Sequence, residues 1–356
     1  MVKANDPNVG NTVASAFGAK NRARLLDLYF TEHNLPKAVD AWQHVYRLLL
    51  WIDQTTGLAH CYESDKSQPG KHWYPRSLAF HNWVATTLKV SPHQLADKVD
   101  WLFRRATLDL AKYVLANQAR VIAKAKEQRK PYEGKGFPEP GEDGELISIV
   151  QDVLGHYFEK EPSEEKWREL VQRIRQYVSL ENKRKNLVGE GFEDVLTSVI
   201  TRAVPKDSLD VSARRVLQTV PGFKNEKTGD KPNKVDVVVL RTQDGKRTLV
   251  TAKWSIRADR EKQFAAEFAG YVNANSNNKP FDYVLITNEY DPARLARACE
   301  AMAANARMFA QVVHINTDAL KATYGNSPED SMKRVVEYID AGRLTNLGDW
   351  IATLNS

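Results

Sequence analysis

The chain of 356 residues carries a net charge of +6 and a pI near 9.0, room for two domains or one large one and a mild basic excess suited to a polyanion. Its only cysteines, Cys61 and Cys299, lie far apart, and its eight histidines show no zinc-like spacing, which excludes a disulfide scaffold or zinc module and points to a reducing compartment. No apolar run reaches membrane-spanning length, no signal peptide is expected ahead of the first amphipathic helix, and no glycine-rich phosphate loop implies a nucleotide cofactor.

In chain order, hydrophobic periodicity predicts helices over 13–32, 37–52, 77–88 and 92–127, with a polar loop over 62–76. Trp42, Tyr46, Trp51, Trp83, Trp101, Phe103 and Tyr113 recur on them at helical spacing, which reads as core and not as a base-stacking platform. Residues 101–135 hold nine Lys and Arg against three acids, a local excess equal to the net charge of the whole chain. Lys124 and Lys126 are its candidate phosphate contacts, although a solvated helix flank explains the charges equally well. The Gly-, Pro- and acid-rich stretch 131–144 reads as a linker. The expected domains are therefore a helical N-terminal region, 1–140, for DNA contact or oligomerisation, and a core over 145–356.

Helices are expected again over 145–160, 163–185 and 191–203. Residues 234–240 form a β-branched run, 243–246 supply an Asp-Gly turn, and 248–252 read as the return strand. A helix over 259–273, a strand over 281–287, a helix over 292–306, a strand over 310–315 and helices over 318–323 and 328–341 follow. This order predicts an α/β (α+β) fold, a mixed β-sheet flanked by helices, an order many proteins share.

The chemistry concentrates in 234–267. Asp236 is a carboxylate inside an apolar strand and Lys253 an amine at the end of the next, and each is costly to bury unless paired or bound to a metal. A plain ion pair at a sheet edge is the bland alternative. In the usual two-strand nuclease motif a second acid stands two residues before the lysine; here that place is Thr251. Glu267, on the helix that follows, is the natural substitute. Two hard oxygen ligands and a backbone carbonyl suit Mg²⁺, and Lys253 would activate the attacking water or steady charge on a phosphate. Upstream, Glu193 follows Phe192 at a helix start, with Glu190 as its alternate; an acidic first turn favoured by the helix dipole is an even competitor. Arg257, Asp259 and Arg260 lie four, six and seven residues past the lysine. Arginines suit O6 and N7 of guanine, and aspartate suits the N4 amines of cytosine. Taken alone, these three would read as a solvated helix start.

With Asp236, Thr251, Lys253, Glu267 and the Arg257–Asp259–Arg260 cluster at these offsets, the chain resembles the PD-(D/E)xK nucleases. Within them it is similar to the type II restriction endonucleases that recognise targets containing CCGG. The match covers about thirty residues directly. It departs from the pattern at Val235, where a proline usually precedes the first carboxylate, and in the short segment between Asp236 and Lys253. The resemblance implies a Mg²⁺-dependent double-strand DNA endonuclease of the bacterial cytoplasm, with no membrane association. Asp236 and Glu267 would bind metal, Lys253 and Glu193 would serve catalysis, and Arg257, Asp259 and Arg260 would read CC/GG. It further implies a homodimer or homotetramer that cuts before the first C and leaves four-base 5′ overhangs bearing 5′-phosphates. A CCNGG-type or structure-selective nuclease with the same core is the nearest alternative, and a non-catalytic DNA-binding regulator the alternative from another class.

Overall fold

The computed structural model describes residues 16–136, 144–160, 162–224, 233–257, 261–276, 279–303, 305–326 and 328–354. The first half runs α1 (Ala19–Glu32), α2 (Ala41–Leu49), β1 (Ile52–Asp53), β2 (Leu58–Ala59), α3 (Tyr74–Thr87), α4 (Leu95–Lys98), α5 (Trp101–Arg129), α6 (Gly144–Leu154) and α7 (Glu164–Asn186). The second runs α8 (Phe192–Ala203), β3 (Leu209–Val216), β4 (Lys234–Arg241), β5 (Arg247–Lys253), α9 (Glu261–Ala274), β6 (Phe281–Thr287) and α10 (Pro292–Glu300). After it come β7 (Met302–Ala303), β8 (Ala306–Arg307), β9 (Gln311–His314), α11 (Thr317–Tyr324), α12 (Asp330–Asp340), β10 (Leu344–Asn346) and α13 (Leu347–Thr353).

The chain divides into two compact units, Met1–Asn21 with Arg105–Leu187, and Arg22–Arg104 with Val188–Ser356. In the smaller unit, α6 and α7 pack through buried Val150, Trp167 and Val171, with Leu146, Ile147, Leu154, Leu170 and Ile174 around them. The expected boundary within 131–144 does not coincide with this division, and residues 137–143 of that stretch lie outside the described residues. The physical reason lies in the aromatics of the N-terminal helices. Tyr46 on α2 donates to Asn288 Oδ1 at 2.9 Å and meets the Tyr290 hydroxyl at 2.9 Å, just past β6, and Phe80 on α3 packs against the Tyr290 ring. These side chains are core, but core of the unit that holds the sheet. The long helix expected over 92–127 is interrupted at Val99 and Asp100, where Asp100 takes φ +60, leaving α4 and α5 as separate pieces.

The larger unit is built on a six-stranded mixed sheet in the order β10-β9-β6-β5-β4-β3, flanked by helices. β3, β4 and β5 pair antiparallel, whereas β5, β6, β9 and β10 run parallel. The fold class is thus mixed α/β, as the order of elements implies. Val235, Val237 and Val238 have no exposed surface, so β4 is buried on both faces. Each such side chain contributes about 1.5–3 kcal/mol relative to exposure. The turn between β4 and β5 needs Gly245 at φ +69, and Arg241 clamps it through Asp244 at 2.7 Å.

The parallel β5–β6 pair requires a crossover, which α9 supplies. Phe264, Phe268 and Tyr271 on α9 lie against Phe281 and Tyr283 of the sheet and Phe309 just before β9. α10 starts sharply because Asp291 caps the N–H groups of Ala293 and Arg294 with Pro292 at the first position. It ends at Glu300, short of the expected 306, where the chain folds into the β7–β8 ribbon. Cys61 and Cys299 are buried free thiols. Among the described residues no helix is long and apolar enough to cross a membrane.

Candidate active site

β4 and β5 create the first half of the site. Their register sets Val237 against Val250, so Asp236 falls beside Thr251, and strand alternation puts Asp236, Thr251 and Lys253 on one face. Asp236 Oδ2 accepts from Lys253 Nζ at 2.6 Å, from the Ala252 N–H at 2.9 Å and from Thr251 Oγ1 at 3.3 Å. All three bonds fall on Oδ2; among the described residues Oδ1 takes none. The pair is partly open to solvent, with the Asp236 and Lys253 side chains 22% and 21% exposed. Thr251, in the place of the missing acid, is buried and serves as a donor to Asp236.

The second half comes from α8. A five-residue π-helical turn, Leu187–Gly191, leads into it and turns Glu190, Glu193 and Asp194 toward the edge strand β3. Glu193 accepts from Arg214 Nη1 at 2.8 Å, and the same nitrogen donates to the Glu190 carbonyl at 3.1 Å. Arg214 Nη2 bonds Asp194, whose other oxygen accepts from Arg22 Nε at 2.6 Å; Arg22 Nη2 also bonds Glu190 Oε2 at 2.7 Å. Burial pushes the Glu193 carboxyl up to about 7, and the negative charge of Asp236 adds to it, while Arg214 and Lys253 pull the other way. Glu193 therefore shares one electrostatic neighbourhood with Asp236 and Lys253. Glu190, the alternate, is the more exposed acid and is engaged by Arg22.

Glu267 sits on α9, whose aromatic face covers the sheet beside this pair. Its Oε1 accepts from Gln263 Nε2 at 2.7 Å and its Oε2 from the Tyr283 hydroxyl at 3.1 Å. Burial first, then the charge of Glu267, raises the Tyr283 and Tyr271 hydroxyls, and Asp236 adds its own field at both tyrosines. Glu267 is thus fixed within the electrostatic reach of groups that also sense Asp236. Among the described residues its carboxylate bonds to Gln263 and Tyr283 and not to Lys253, whose ammonium is taken by Asp236.

Beyond Lys253 the chain stays alongside the continuation of β6. Asn288 N–H donates to the Trp254 carbonyl at 3.0 Å, and Ile256 N–H donates to the buried Glu289 Oε2 at 2.7 Å. Ile256 is buried and Arg257 directly after it is exposed, so the first arginine of the cluster projects from a pinned segment. Asp259 and Arg260 lie outside the described residues. Lys124 and Lys126 are exposed on α5, within the smaller unit.

Sequence reasoning missed Arg214, Asp194 and Arg22. The first sits on β3, a strand that hydrophobic patterning does not announce because Leu209–Val216 mixes Asp, Ser and two arginines into a half-exposed edge. A basic residue on an unassigned segment has no fixed offset from the motif to reveal it.

Among the described residues there is no group of three or more His, Cys, Asp or Glu side chains arranged to hold a metal ion. The donors present still suit Mg²⁺, which binds through one or two carboxylates and keeps most of its waters. Asp236 offers its unused Oδ1, and Glu193 is a desolvated carboxylate already paired with Arg214 at 2.8 Å. No family model matches the chain, and no curated protein matches it. A solved structure described as "Restriction endonuclease PspGI-substrate DNA complex" aligns over 94% of this chain and 92% of its own at 13% identity, with a TM-score of 0.36, a likeness too distant to bear on any residue of the site.

Proposed function

We propose that the chain is a Mg²⁺-dependent, sequence-specific double-strand DNA endonuclease with a PD-(D/E)xK core, of the type II restriction kind. The observation that carries this reading is the Lys253–Asp236 pair at 2.6 Å at adjacent strand ends, with Glu193 from one helix in the same electrostatic neighbourhood. A structural ion pair has no need of a second desolvated carboxylate beside it, whereas a phosphodiester-cleaving site can use one to help hold a cation.

In this reading Asp236 and Glu267 would hold the ion, with Glu193 alongside. When bound there, the ion would supply Lewis-acid charge and would activate a water. Lys253, steered by Asp236, points its ammonium at the phosphate and steadies the charge that develops there. The products carry 5′-phosphate and 3′-hydroxyl ends. Arg257, with Asp259 and Arg260, reads two adjacent C·G pairs in the major groove, and a two-fold homodimer, alone or within a tetramer, reads CCGG. Lys124 and Lys126 contribute phosphate contacts that carry no sequence information. Cleavage before the first C leaves four-base 5′ overhangs.

Digestion of a DNA of known sequence in Mg²⁺, followed by sequencing of the ends, tests this. Breaks confined to CCGG with four-base 5′ overhangs are expected. Breaks at CCNGG sites or at structural junctions would move the assignment to another specificity on the same core, and the absence of breaks at any divalent cation concentration would refute the enzyme.

A further inference from the structure

We propose that Arg214 is a positioning residue of this site, a built-in counter-cation that fixes Glu193 beside Asp236 and holds down the site's own affinity for a divalent cation. The proposal rests on the reading of the site as a cation-using nuclease centre, and it concerns a residue that the motif does not include.

The backbone supplies the first observation. Arg214 takes φ +51 inside β3, in the left-handed region where a side chain is unfavourable and glycine is not. The β3–β4 register pairs Ala213 with Val237 and Arg215 with Val235, so Arg214 falls opposite Asp236 and drops out of the pairing. A strained residue that carries a long cationic side chain, placed across from the motif carboxylate, fits a functional constraint better than a packing one.

The side chain supplies the second. Its guanidinium spans Glu193 at 2.8 Å and the Glu190 carbonyl at 3.1 Å, with Asp194 on its other nitrogen. Arg22, buried behind it, bonds Asp194 at 2.6 Å and Glu190 at 2.7 Å and so fixes the acids that fix Arg214. Glu193 is thereby held by Arg214 within the electrostatic reach of Asp236.

The two roles of Arg214 act on cation binding with opposite sign. Positioning Glu193 favours binding, because one side chain is already ordered. The fixed positive charge opposes it. Even with the screening of bulk water, a unit charge a few ångströms from a divalent ion is worth about a factor of ten. Ordering one glutamate is worth at most a comparable factor, and at the effective dielectric of about 20 in a partly buried site the charge is worth several times more in free energy than in bulk water, so the charge should dominate.

Calcium titration of the full chain without DNA, followed by calorimetry, reads this without any cleavage. Arg214→Gly removes the guanidinium at a φ that glycine accepts, so its fold should survive, as checked by circular dichroism and thermal melting. It is expected to bind calcium about tenfold more tightly than the unsubstituted chain, and Arg214→Lys is expected to bind like the unsubstituted chain. Arg214→Gln removes the same charge but keeps the side chain, and should match the glycine variant; it carries the test if the glycine variant does not fold. Equal or weaker calcium binding by a folded Gly or Gln variant, the outcome of a merely structural role, would overturn the proposal. If no chain binds calcium and Asp236→Asn changes nothing, the cation-site reading itself falls and the proposal with it.

Discussion

The Asp236–Lys253 pair allows a prediction with a worked magnitude. At 2.6 Å, with the two side chains 22% and 21% exposed, the pair is neither a surface contact nor a buried one. Two unit charges about 4 Å apart attract by about 4 kcal/mol at an effective dielectric near 20. Partial desolvation and the water that reaches a pair one-fifth exposed should reduce this to a net coupling of about 1–2 kcal/mol. The perturbations are Asp236→Asn and Lys253→Met, alone and together. Lys253→Met leaves Asp236 with the Ala252 N–H and the Thr251 hydroxyl, and Asp236→Asn leaves Lys253 without its bonded carboxylate. Urea unfolding of the four proteins yields the coupling from the double-mutant cycle. A coupling below about 0.3 kcal/mol would show that the two groups act independently, and would remove the geometric basis for placing the ammonium by means of the carboxylate.

Further expectations concern recognition, packing and pH. Arg257→Ala should weaken binding to a CCGG duplex in Ca²⁺ by roughly tenfold or more while sparing non-specific DNA, whereas Lys124→Ala and Lys126→Ala should weaken all sequences alike; a uniform loss with Arg257→Ala would make it a phosphate clamp. Arg247, the first residue of β5, is buried, donates to the Pro221 carbonyl at 3.0 Å and to the Lys279 carbonyl, and stacks over Phe223 at 4.8 Å. Arg247→Met should therefore cost about 2–4 kcal/mol in urea unfolding, and a cost near zero would contradict that bonding. His314 is fully buried between the Asn316 and Glu289 backbones, and burial lowers its imidazole to about 4. A histidine depressed from 6.5 to about 4 stabilises the fold fully above pH 6.5, and that contribution is lost as pH falls toward 4. The loss should be on the order of 3 kcal/mol across this window, and His314→Gln should flatten the dependence of Tm on pH there.

The strands that carry Asp236 and Lys253 were legible because β4 and β5 are buried on both faces and joined by an Asp-Gly turn, so pattern and turn chemistry agree. β6 was legible for the same reason, matching the expected 281–287. β3 was not, because an edge strand with two arginines carries little apolar alternation. β10 and α13 were missed at three and seven residues, too short for periodicity to register. The division of the chain was illegible for a different reason. The aromatics of α2 and α3 announce burial, but nothing local states that their partners are Asn288 and Tyr290, more than two hundred residues away. At the site, Glu193 could be proposed from its place after Phe192, while its raised carboxyl depends on Asp236 and Arg214, which only the folded chain brings together.

The central claim is metal-dependent phosphodiester hydrolysis by the Asp236–Lys253 centre. The most direct measurement is nicking and linearisation of a supercoiled plasmid containing CCGG, by the unsubstituted chain and by Asp236→Ala, in Mg²⁺ and in EDTA, with binding to the same site measured in Ca²⁺. The account predicts cutting only by the unsubstituted chain in Mg²⁺, a loss of more than about a thousandfold in Asp236→Ala, and retained binding by that variant. Cutting by Asp236→Ala, or cutting that persists in EDTA, would contradict it.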